Sequence, residues 1–571
     1  MPKSVQDVYH DFIWNNLNQD LAETLYDTPL VIMHDLYSRA PPILEKYRET
    51  LWHLPEKMSL LKKELISVNR NLGALTPGVH EAIETLESGA VEAAHQTVAL
   101  GGPVYILNKA ATAHRIATMT TERGLNLAPF FCVADYDIVQ PELTNMRTPL
   151  MGKEGNLVSI PVPEEYKFSP VSQLPLPGKD WYEQVEESIR ANYRPMFKAL
   201  EGSARKVVDE RLEQALSITR WAYINSTTAG NWAQRILARL FNIEGDLGIP
   251  LVPASSIEIR NLLVEGMEFL LSRKARERCL RAFDDTTTLI IESGYNPGMG
   301  RRDSSYVPFF YECPNEGCHR SRMELHYIDQ GATVVLAGTC PTCGERIEIE
   351  TPADTPYLGE VATHLSPRVD SRQFLVDTII PTVAHIGGPG ETAYYAQVIP
   401  CSKALDIPFP LFIKYPRVYF NTHWGESLGK SLEEKGVTIL HRKDLFSIAG
   451  KITRFRRKER YDEMNDALSS LHDLIVSTHA GLNEHLREIG EKMDGLKGKD
   501  LHEMRSLKLE IERYLSWAFG QYAPGKIGQE SSWSWIDWAV SAGFPDLLGP
   551  YERAYVGPMK NGATLFVNLS V

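Results

Sequence analysis

Four closely spaced cysteines form the most specific chemical pattern in the sequence. Cys313 and Cys318 make a C-x4-C pair, and Cys340 and Cys343 belong to a C-P-T-C-G knuckle. The segment between the pairs, MELHYIDQGATVVLAG, alternates as the strands of a β-hairpin do. Two such pairs around a hairpin are typical of a zinc ribbon, in which four thiolates complete a tetrahedral site. We predict a structural Zn²⁺ here, because a catalytic zinc needs an open position.

A second group of polar side chains surrounds the turn Gly101-Gly102, just before a predicted helix. Backbone N–H groups at the start of a helix can bind an anion. The polar residues around this turn are His95, Gln96, Tyr105, Lys109, Asp135 and Asp137. A lysine that reaches phosphates, opposite carboxylates that hold an amine or Mg²⁺, predicts a nucleotide or aminoacyl site. The simpler interpretation is a tight turn before a helix, followed by aspartates that cap another helix.

A similar turn, Gly387-Gly388-Pro389-Gly390, occurs later in the chain. The polar residues beside it are His385, Glu391, Tyr394, Tyr395 and Gln397, and a mixed-charge loop before it contains Arg368, Asp370, Arg372 and Asp377. Arginine favours bidentate recognition of carboxylate or phosphate. We therefore predict that this second turn and its arginines bind substrate or nucleotide. A solvated loop held by salt bridges is the alternative.

Two βαβ-like stretches would position these groups. AVEAAHQ and APFFCVAD flank one predicted helix, and TIIPTVAHI and PFPLFIKY flank another. In an open α/β sheet the carboxyl ends of such strands line the ligand crevice. The predicted fold is therefore α/β, with a Rossmann-like parallel sheet split by a long insertion. The predicted units are 1–155 (N-terminal helices and first Rossmann half), 156–305 (mostly helical insertion), 306–352 (zinc ribbon), 353–450 (second Rossmann half) and 451–571 (helical hairpin and C-terminal segment).

The last of these units has a different apolar pattern. Between Leu468 and Leu515, apolar residues repeat at spacings of three, four and seven, and Gly495 and Gly498 interrupt the repeat. This pattern predicts an antiparallel helical hairpin. Two interpretations remain open: a coiled coil that joins two copies into a homodimer, or a hairpin that packs on its own domain.

Composition excludes several classes of function. The 571 residues include 60 Lys and Arg against 73 Asp and Glu, a net charge of −13. A nucleic-acid partner is disfavoured, because clustered positive charge supplies most of that affinity. No apolar run approaches the length of about 18 residues that predicts a membrane span, and the N-terminus lacks a secretory pattern. Seven cysteines are too few for a disulfide scaffold. We expect a cytoplasmic enzyme that acts on small molecules.

Two blocks of sequence resemble a known family. AAHQTVALGGPVYILNKA followed by CVADYD is similar to the pattern TGQQ…GLFTGPLY…K and EDHD, and LSPRVDSRQFLVDTIIPTVAHIGGPGETAYYAQ is similar to a second family motif. Both patterns belong to the cysteine ligases of bacillithiol biosynthesis, the BshC family. The resemblance implies a Rossmann core like that of class I aminoacyl-tRNA synthetases and nucleotidyltransferases, and a coiled coil that pairs two subunits. It implies an active crevice lined by His95, Gln96, Gly102, Tyr105, Lys109, Asp135, Asp137, Gly387, Gly388, Glu391, Tyr394 and Gln397.

The chain also departs from the family pattern. Tyr136 stands where the family has a histidine between two acids. A histidine can serve as a base near neutral pH, whereas a tyrosine of ordinary pKa, about 10, cannot do so easily. The zinc ribbon is not a usual feature of the family. His95 is the nearby residue whose ordinary pKa suits a general base.

Our first hypothesis is an ATP-dependent ligase that joins L-cysteine to an amino-sugar acceptor, glucosaminyl malate, as an amide. Lys109 and the turn Gly101-Gly102 would stabilise the phosphates, and Asp135 and Asp137 would hold an amine or Mg²⁺. The second hypothesis is a nucleotidyltransferase-like or synthetase-like enzyme that acts on another amino acid. A basic groove formed by Arg320, Arg322 and Arg346 beside the ribbon would favour it. The third is a dimeric relative without catalytic activity.

Overall fold

The chain is described here by a computed structural model that covers residues 3–50, 54–151, 156–198, 200, 202–439, 442–521, 527–555 and 558–569. Most of these residues are helical. The helices are α1 (Gln6–Asn15), α2 (Gln19–Tyr26), α3 (Leu36–Thr50), α4 (Leu54–Asn71), α5 (Pro77–Thr85), α6 (Tyr105–Thr121), α7 (Pro141–Thr144), α8 (Lys179–Lys198), α9 (Gly202–Ile224), α10 (Ala229–Arg239), α11 (Ile257–Leu271), α12 (Arg273–Glu292), α13 (Arg372–Asp377), α14 (Pro389–Leu405), α15 (His423–Glu434), α16 (Arg442–Arg457), α17 (Tyr461–Met493), α18 (Gly498–Phe519), α19 (Gln529–Ser532), α20 (Trp535–Ala542) and α21 (Gly549–Ala554).

The described strands form a five-stranded central sheet and several smaller sheets. They are β1 (Lys3–Ser4), β2 (Ala90–Gln96), β3 (Ala128–Ala134), β4 (Asn145–Arg147), β5 (Leu157–Ser159), β6 (Leu251–Pro253), β7 (Tyr295–Asn296), β8 (Phe309–Glu312), β9 (Arg322–Glu324), β10 (His326–Asp329), β11 (Thr333–Thr339), β12 (Arg346–Pro352), β13 (Leu365–Pro367), β14 (Thr382–Gly387), β15 (Leu411–Lys414), β16 (Arg417–Asn421) and β17 (Thr564–Asn568). The central sheet has the order β15-β14-β2-β3-β6, and every pair in it is parallel.

Counted along the chain, the strands of the central sheet lie in the order 3-2-1-4-5. This is the strand order of a Rossmann fold, in which the direction of winding reverses between the first and fourth strands. Here the reversal lies between β2 and β14, which pair directly. The predicted split Rossmann-like sheet is therefore confirmed.

The central sheet is buried on both faces, and its strand β2 contributes small and branched side chains to each face. Val91 and Ala93 of β2 join one apolar core with helix α6, whereas Ala90 and Ala94 join a second core with α4, α5 and α11. Because successive strand residues point to opposite faces, this alternation places a helical layer on each side of the sheet.

The predicted helical insertion is shorter than the sequence suggested. We expected residues 156–305 to be an insertion, but β6 lies within this range and adds the third strand to the central sheet, paired with β3. The Rossmann half therefore continues past residue 155. The chain leaves the sheet after β3, forms α8 to α10, and returns at β6.

The range 306–352, which holds the four cysteines and is called the cysteine module below, and the C-terminal part both pack on this core. The module contains β8 to β12. Strands β10, β11 and β12 form one antiparallel sheet, and β8 pairs with β9 and with β13, which follows the module. Helices α17 and α18 form the predicted hairpin, and its apolar side packs against residues of α15 and α16. After the hairpin, the chain returns to the core, where β17 pairs in parallel with β16. Among the described residues, no helix is long and apolar enough to cross a membrane.

Candidate functional site

A cleft of about 480 Å³ opens at the carboxyl ends of β2, β3 and β14, where the sheet reverses its winding. This is the position at which open α/β sheets bind ligands. The residues that line the cleft are Ala94, His95, Gln96, Tyr105, Lys109, Ala134, Tyr136, Asp137, Val369, Arg372, Gly388, Pro389, Gly390, Glu391, Tyr394, Tyr415 and Ser531. Side chains on either side of the first glycine turn and residues of the second turn therefore line one cleft.

Lys109 and Glu391 form an ion pair at the base of the cleft. The Lys109 ammonium lies 2.6 Å from a Glu391 carboxylate oxygen and donates to the Ala94 carbonyl at 2.9 Å. The same carboxylate accepts the Gly388 N–H at 2.7 Å, which fixes it at the start of α14. Burial raises the pKa of Glu391, but Lys109 and His385 more than offset this, and its pKa lies below the ordinary value. The Glu391 carboxylate is therefore charged near neutral pH.

A chain of buried charges continues beneath this pair. The imidazole of His385 has Nδ1 2.9 Å from Glu92 and Nε2 3.4 Å from Glu391. Glu92 is also bound by the guanidinium of Arg372. Burial alone would raise the pKa of Glu92, but Arg372 and His385 lower it to about 2. Glu92 is not among the residues predicted from the sequence. A single acidic residue within the apolar strand AVEAAHQ nevertheless indicates a buried ion pair.

His95 and Tyr105 are bonded to each other on the cleft wall. The Nδ1 of His95 lies 2.8 Å from the Gln96 carbonyl and therefore carries the hydrogen, so Nε2 accepts the Tyr105 hydroxyl. Burial and the charge of Lys109 lower the pKa of His95 to about 4. In this arrangement His95 is neutral near pH 7 and orients Tyr105, and both of its ring nitrogens are already bonded.

Asp137 is the carboxylate that faces the cleft. It accepts the side-chain amide of Gln96 and lies 3.0 Å from the Arg322 guanidinium. Asp135, which we grouped with it, points into the protein instead. Its carboxylate accepts the Ser255 N–H at 3.0 Å and the Gln234 amide at 2.8 Å, and burial raises its pKa to about 6.

The two aspartates therefore do not form a Mg²⁺ site in this structure. Mg²⁺ needs an octahedral set of oxygen ligands, with carboxylates free to bind it. Asp135 is 1% exposed and its oxygens are used by Ser255 and Gln234, so of the two aspartates only Asp137 faces the cleft. The Asp137 carboxylate, with the Gln96 side-chain amide beside it, suits an amine better than it suits Mg²⁺.

The turn Gly101-Gly102 does not reach the cleft. Its N–H groups donate to Val98 and Ala99 within the turn, and a side chain at Gly101 would meet Ile236 at 2.7 Å. Both glycines have positive φ, which makes this tight turn possible. The expectation that this turn binds phosphate is therefore not supported, and the simpler interpretation of a tight turn before a helix holds.

The second turn does face the cleft. Gly388, Pro389 and Gly390 line it at the N-terminus of α14, where the first N–H groups of a helix have no partner within the helix. Gly387 and Gly388 permit close packing here, since an added Cβ would meet Phe412 at 2.3 Å and Tyr415 at 2.9 Å, respectively. This N-terminus is suited to an anion.

Tyrosines form much of the cleft wall. Tyr105 and Tyr415 stack with an angle of 3° between their rings and 6.2 Å between the ring centroids, and Tyr136 and Tyr394 add further aromatic surface. Burial raises the pKa values of Tyr136 and Tyr394, so both stay protonated near neutral pH. Tyr136 therefore cannot replace the base that the family histidine would supply.

Two predicted binding residues lie elsewhere. Gln397 is fully buried on α14, where its amide bonds Thr287 at 2.8 Å and the backbone of Met299 at 2.7 and 3.1 Å. Arg368 lies over the Phe310 ring at 4.2 Å and pairs with Glu324 at 3.2 Å. Both residues tie elements together rather than line the cleft.

The four predicted metal ligands do converge. The sulfur atoms of Cys313, Cys318, Cys340 and Cys343 all lie within 4.8 Å of one another. The Sγ distances are 3.9 Å between Cys313 and Cys343 and 3.8 Å between Cys318 and Cys340. A tetrahedral zinc with Zn–S bonds of about 2.3 Å separates its sulfurs by about 3.8 Å. The donor set and its spacing fit a closed four-thiolate zinc site.

Comparison with known proteins agrees with the Rossmann-like fold. Residues 15–418 match the family described as "Bacillithiol biosynthesis BshC, N-terminal Rossmann-like domain". A protein of Chloroherpeton thalassium named "Putative cysteine ligase BshC" is 23% identical over 535 residues, which cover 89% of this chain and 85% of that protein. A Bacillus cereus (strain G9842) protein of the same name is 26% identical over 310 residues, 54% of this chain and 51% of its own length.

The strand order and the cleft at the switch point define an α/β protein with a Rossmann-like core. The family match extends over more than half of the chain. The chain belongs to the BshC family of bacillithiol biosynthesis. Its relatives bear the names of ligases.

Proposed function

We propose that the protein is an ATP-dependent ligase that joins the carboxyl group of L-cysteine to the amine of glucosaminyl malate. The observation that carries the proposal is the single cleft at the switch point, in which an ammonium, a carboxylate and a helix N-terminus face one space. Family membership adds the direction of the chemistry, since relatives over most of this chain's length are named cysteine ligases.

The charged groups divide between the two parts of cysteine. Asp137 and the Gln96 amide hold the ammonium of the amino acid. The N-terminus of α14 at Gly390, with Lys109 nearby, stabilises negative charge on the carboxylate and on the phosphates that activate it. The anion site therefore lies at the second glycine turn, residues 387–390, instead of at Gly101-Gly102.

Amide formation then follows as acyl transfer. ATP supplies a phosphoryl or adenylyl group that makes the carboxylate reactive. The acceptor nitrogen attacks the carbonyl carbon and the C–N bond forms. The bond from that carbon to the phosphate oxygen breaks, and phosphate or AMP leaves with the bonding electron pair. The proton lost by the nitrogen passes to solvent water. Tyr105, held by His95, presents its hydroxyl oxygen to the cleft as a fixed hydrogen-bond acceptor for the attacking amine. His95 thus acts through Tyr105 instead of as the free base that its ordinary pKa suggested.

The four-cysteine site supplies structure to this enzyme. Four thiolates would hold Zn²⁺ with no open position, so the metal cross-links the module and takes no direct part in the acyl transfer. We assign it a structural role.

The geometry disfavours the synthetase-like alternative that would bind RNA beside the ribbon. Arg320 pairs with Glu312 at 2.6 Å and Arg346 with Glu348 at 2.7 Å. Arg322 pairs with Asp137. Each of the three arginines that could form a basic groove is therefore neutralised by a carboxylate.

Mass spectrometry tests the function. The protein is incubated with ATP, L-cysteine and glucosaminyl malate, and the products are searched for the amide and for AMP or ADP. We expect the amide and one nucleotide product in equal amounts. The matched variant is the double substitution Lys109→Met/Glu391→Gln, which removes the ammonium but leaves neither partner of the pair as an unpaired charge. We expect its turnover to be about 10²-fold slower, because the electrostatic stabilisation by Lys109 is lost. Absence of product from the unmodified chain would reject the proposal.

A further inference from the structure

A short segment, residues 166–172, lies between the cysteine module and the loop that follows β3. On the side of the module, the His319 ring stacks on Tyr166 with 4.1 Å between centroids, and the Arg322 N–H donates to the Phe168 carbonyl at 2.8 Å. These contacts attach the segment to the residues that directly follow Cys318.

The opposite side of this segment holds the cleft loop. The Val171 N–H donates to the Asp137 carbonyl at 2.9 Å, and the Val139 N–H donates to the Ser169 carbonyl at 3.0 Å. The backbone of Asp137 is therefore fixed by a segment that the cysteine module itself holds.

A second connection runs directly between the module and the cleft. The guanidinium of Arg322 lies 3.0 Å from the Asp137 carboxylate and 3.1 Å from the Tyr136 carbonyl. Its side chain is 9% exposed and lies over the Phe310 ring at 4.2 Å. A charge-assisted bond between partly buried groups is among the stronger ones in a protein. The side chain and the backbone of Asp137 are thus both fixed from the module.

The position of Arg322 depends in turn on the cysteines. Arg322 begins β9, four residues after Cys318, and the preceding Ser321 accepts the Cys313 N–H at 2.9 Å and donates its hydroxyl to the Cys318 carbonyl at 2.9 Å. In small thiolate sites, metal binding supplies folding free energy to the residues between the ligands. Loss of the metal would therefore release the loop that places Arg322.

We propose that Arg322 is a positioning residue that transmits the order of the four-cysteine site to the Asp137 carboxylate in the cleft. The proposal rests on the proposed function in one respect: it takes Asp137 to hold the ammonium of the amino-acid substrate. The cysteine module then serves as a metal-dependent support that fixes Asp137 in the substrate site.

Hydrogen exchange of the unliganded full chain tests this directly, without any assay of activity. In Arg322→Ala, we expect amides in the range 135–139 to exchange about tenfold faster, because two charge-assisted bonds are lost. Arg346→Ala is the matched control, since Arg346 belongs to the same module but pairs with Glu348 at an exposed site. It should leave residues 135–139 unchanged. Exchange in β15 (Leu411–Lys414) reports whether the variants remain folded, and Arg322→Lys, which keeps the charge, should give a smaller increase.

Removal of the metal is the second arm. Zinc is extracted from the unmodified chain with a chelator, its loss is verified by atomic absorption, and exchange at 135–139 should again rise. Unchanged exchange at 135–139 in folded Arg322→Ala, or after verified zinc loss, would overturn the proposal. In the ligation assay, Arg322→Ala should raise KM for L-cysteine more than it lowers kcat. If neither the unmodified protein nor any variant forms the amide, the proposed function is rejected. The exchange result still decides whether Arg322 positions Asp137.

Discussion

The buried ion pair of Lys109 and Glu391 is the central electrostatic feature of the cleft. The Lys109 side chain is 2% exposed and that of Glu391 is 16% exposed, so neither charge is well solvated without its partner. Breaking one side of such a pair costs much more than removing both charges, because the remaining charge stays buried.

A pair of variants separates these effects on stability. Lys109→Met should destabilise the protein by about 3–5 kcal/mol, because it leaves the Glu391 carboxylate without its counter-ion. Adding Glu391→Gln should recover most of that loss, because the glutamine can still accept the Gly388 N–H. Thermal melts of both variants measure the difference. Equal melting temperatures for the single and double variants would show that the pair is not coupled.

At the residue scale, sequence predicted the groups whose neighbours are local. Cys340 and Cys343 are three positions apart. His95 lies near the end of β2, a strand that the apolar residues directly before it predict. Arg322 and Asp137 are 185 residues apart, so no spacing rule brings them together. The direction of a side chain is equally hidden, since Asp135 and Asp137 look alike in sequence but face different environments.

At the scale of elements, the helical hairpin leaves apolar surface uncovered. Its apolar residues from Leu471 to Ile489 pack inward, but Val476 on α17 is 41% exposed and Leu509 on α18 is 60% exposed. The packing on its own domain, one of the two interpretations of the sequence, is thus observed. The pairing of two copies stays a prediction, and the exposed apolar residues are its candidate contact surface.

Light scattering after size exclusion tests this pairing. We expect the unmodified chain to elute with twice the mass of one copy, and Leu509→Glu to shift it toward a single copy, because a charge would be buried in the contact. Lys508→Glu changes the charge at the neighbouring position and should leave the dimer intact. A monomeric unmodified chain would reject pairing through the hairpin.

Length determines which elements the sequence could reveal. The helices and the strands β2, β3, β14 and β15 extend over enough residues for a period to be visible. Strand β6 contains only Leu251, Val252 and Pro253, and three residues show no period. Its place in the sheet comes from tertiary pairing with β3, which is why the predicted insertion included this strand of the central sheet.

At the scale of the whole molecule, the C-terminal part is built into the core. Asp537 of α20 accepts the Tyr193 hydroxyl of α8 at 2.6 Å, and Trp535 packs beside Gly101. Glu530 of α19 accepts the Asn108 amide of α6 at 2.8 Å. The predicted unit 451–571 is therefore no independent domain, since its second half joins the Rossmann core and the helical insertion.

The Asp537 contact makes the stability of this assembly depend on pH. Burial raises the pKa of Asp537 to about 7 from an ordinary value of 3.8. Between these values the folded chain keeps a proton that the unfolded chain has lost, so stability falls as pH rises from about 4 to about 7. Relative to Asp537→Asn, which has no such proton, the unmodified chain should lose roughly 2 kcal/mol between pH 5 and pH 7. Thermal melts across this range measure it, and parallel curves for the two proteins would contradict the assignment.

The parallel pairing of β16 and β17 has a consequence for the synthesis of the protein. Arg417 of β16 pairs with Thr564 of β17, roughly 150 residues later. At about 5–20 residues per second, the ribosome needs about 7 to 30 seconds to supply the second strand after the first. During that time the nascent chain exposes an unpaired strand edge next to its unfinished core. A chaperone that shields this edge should therefore raise the yield of folded protein.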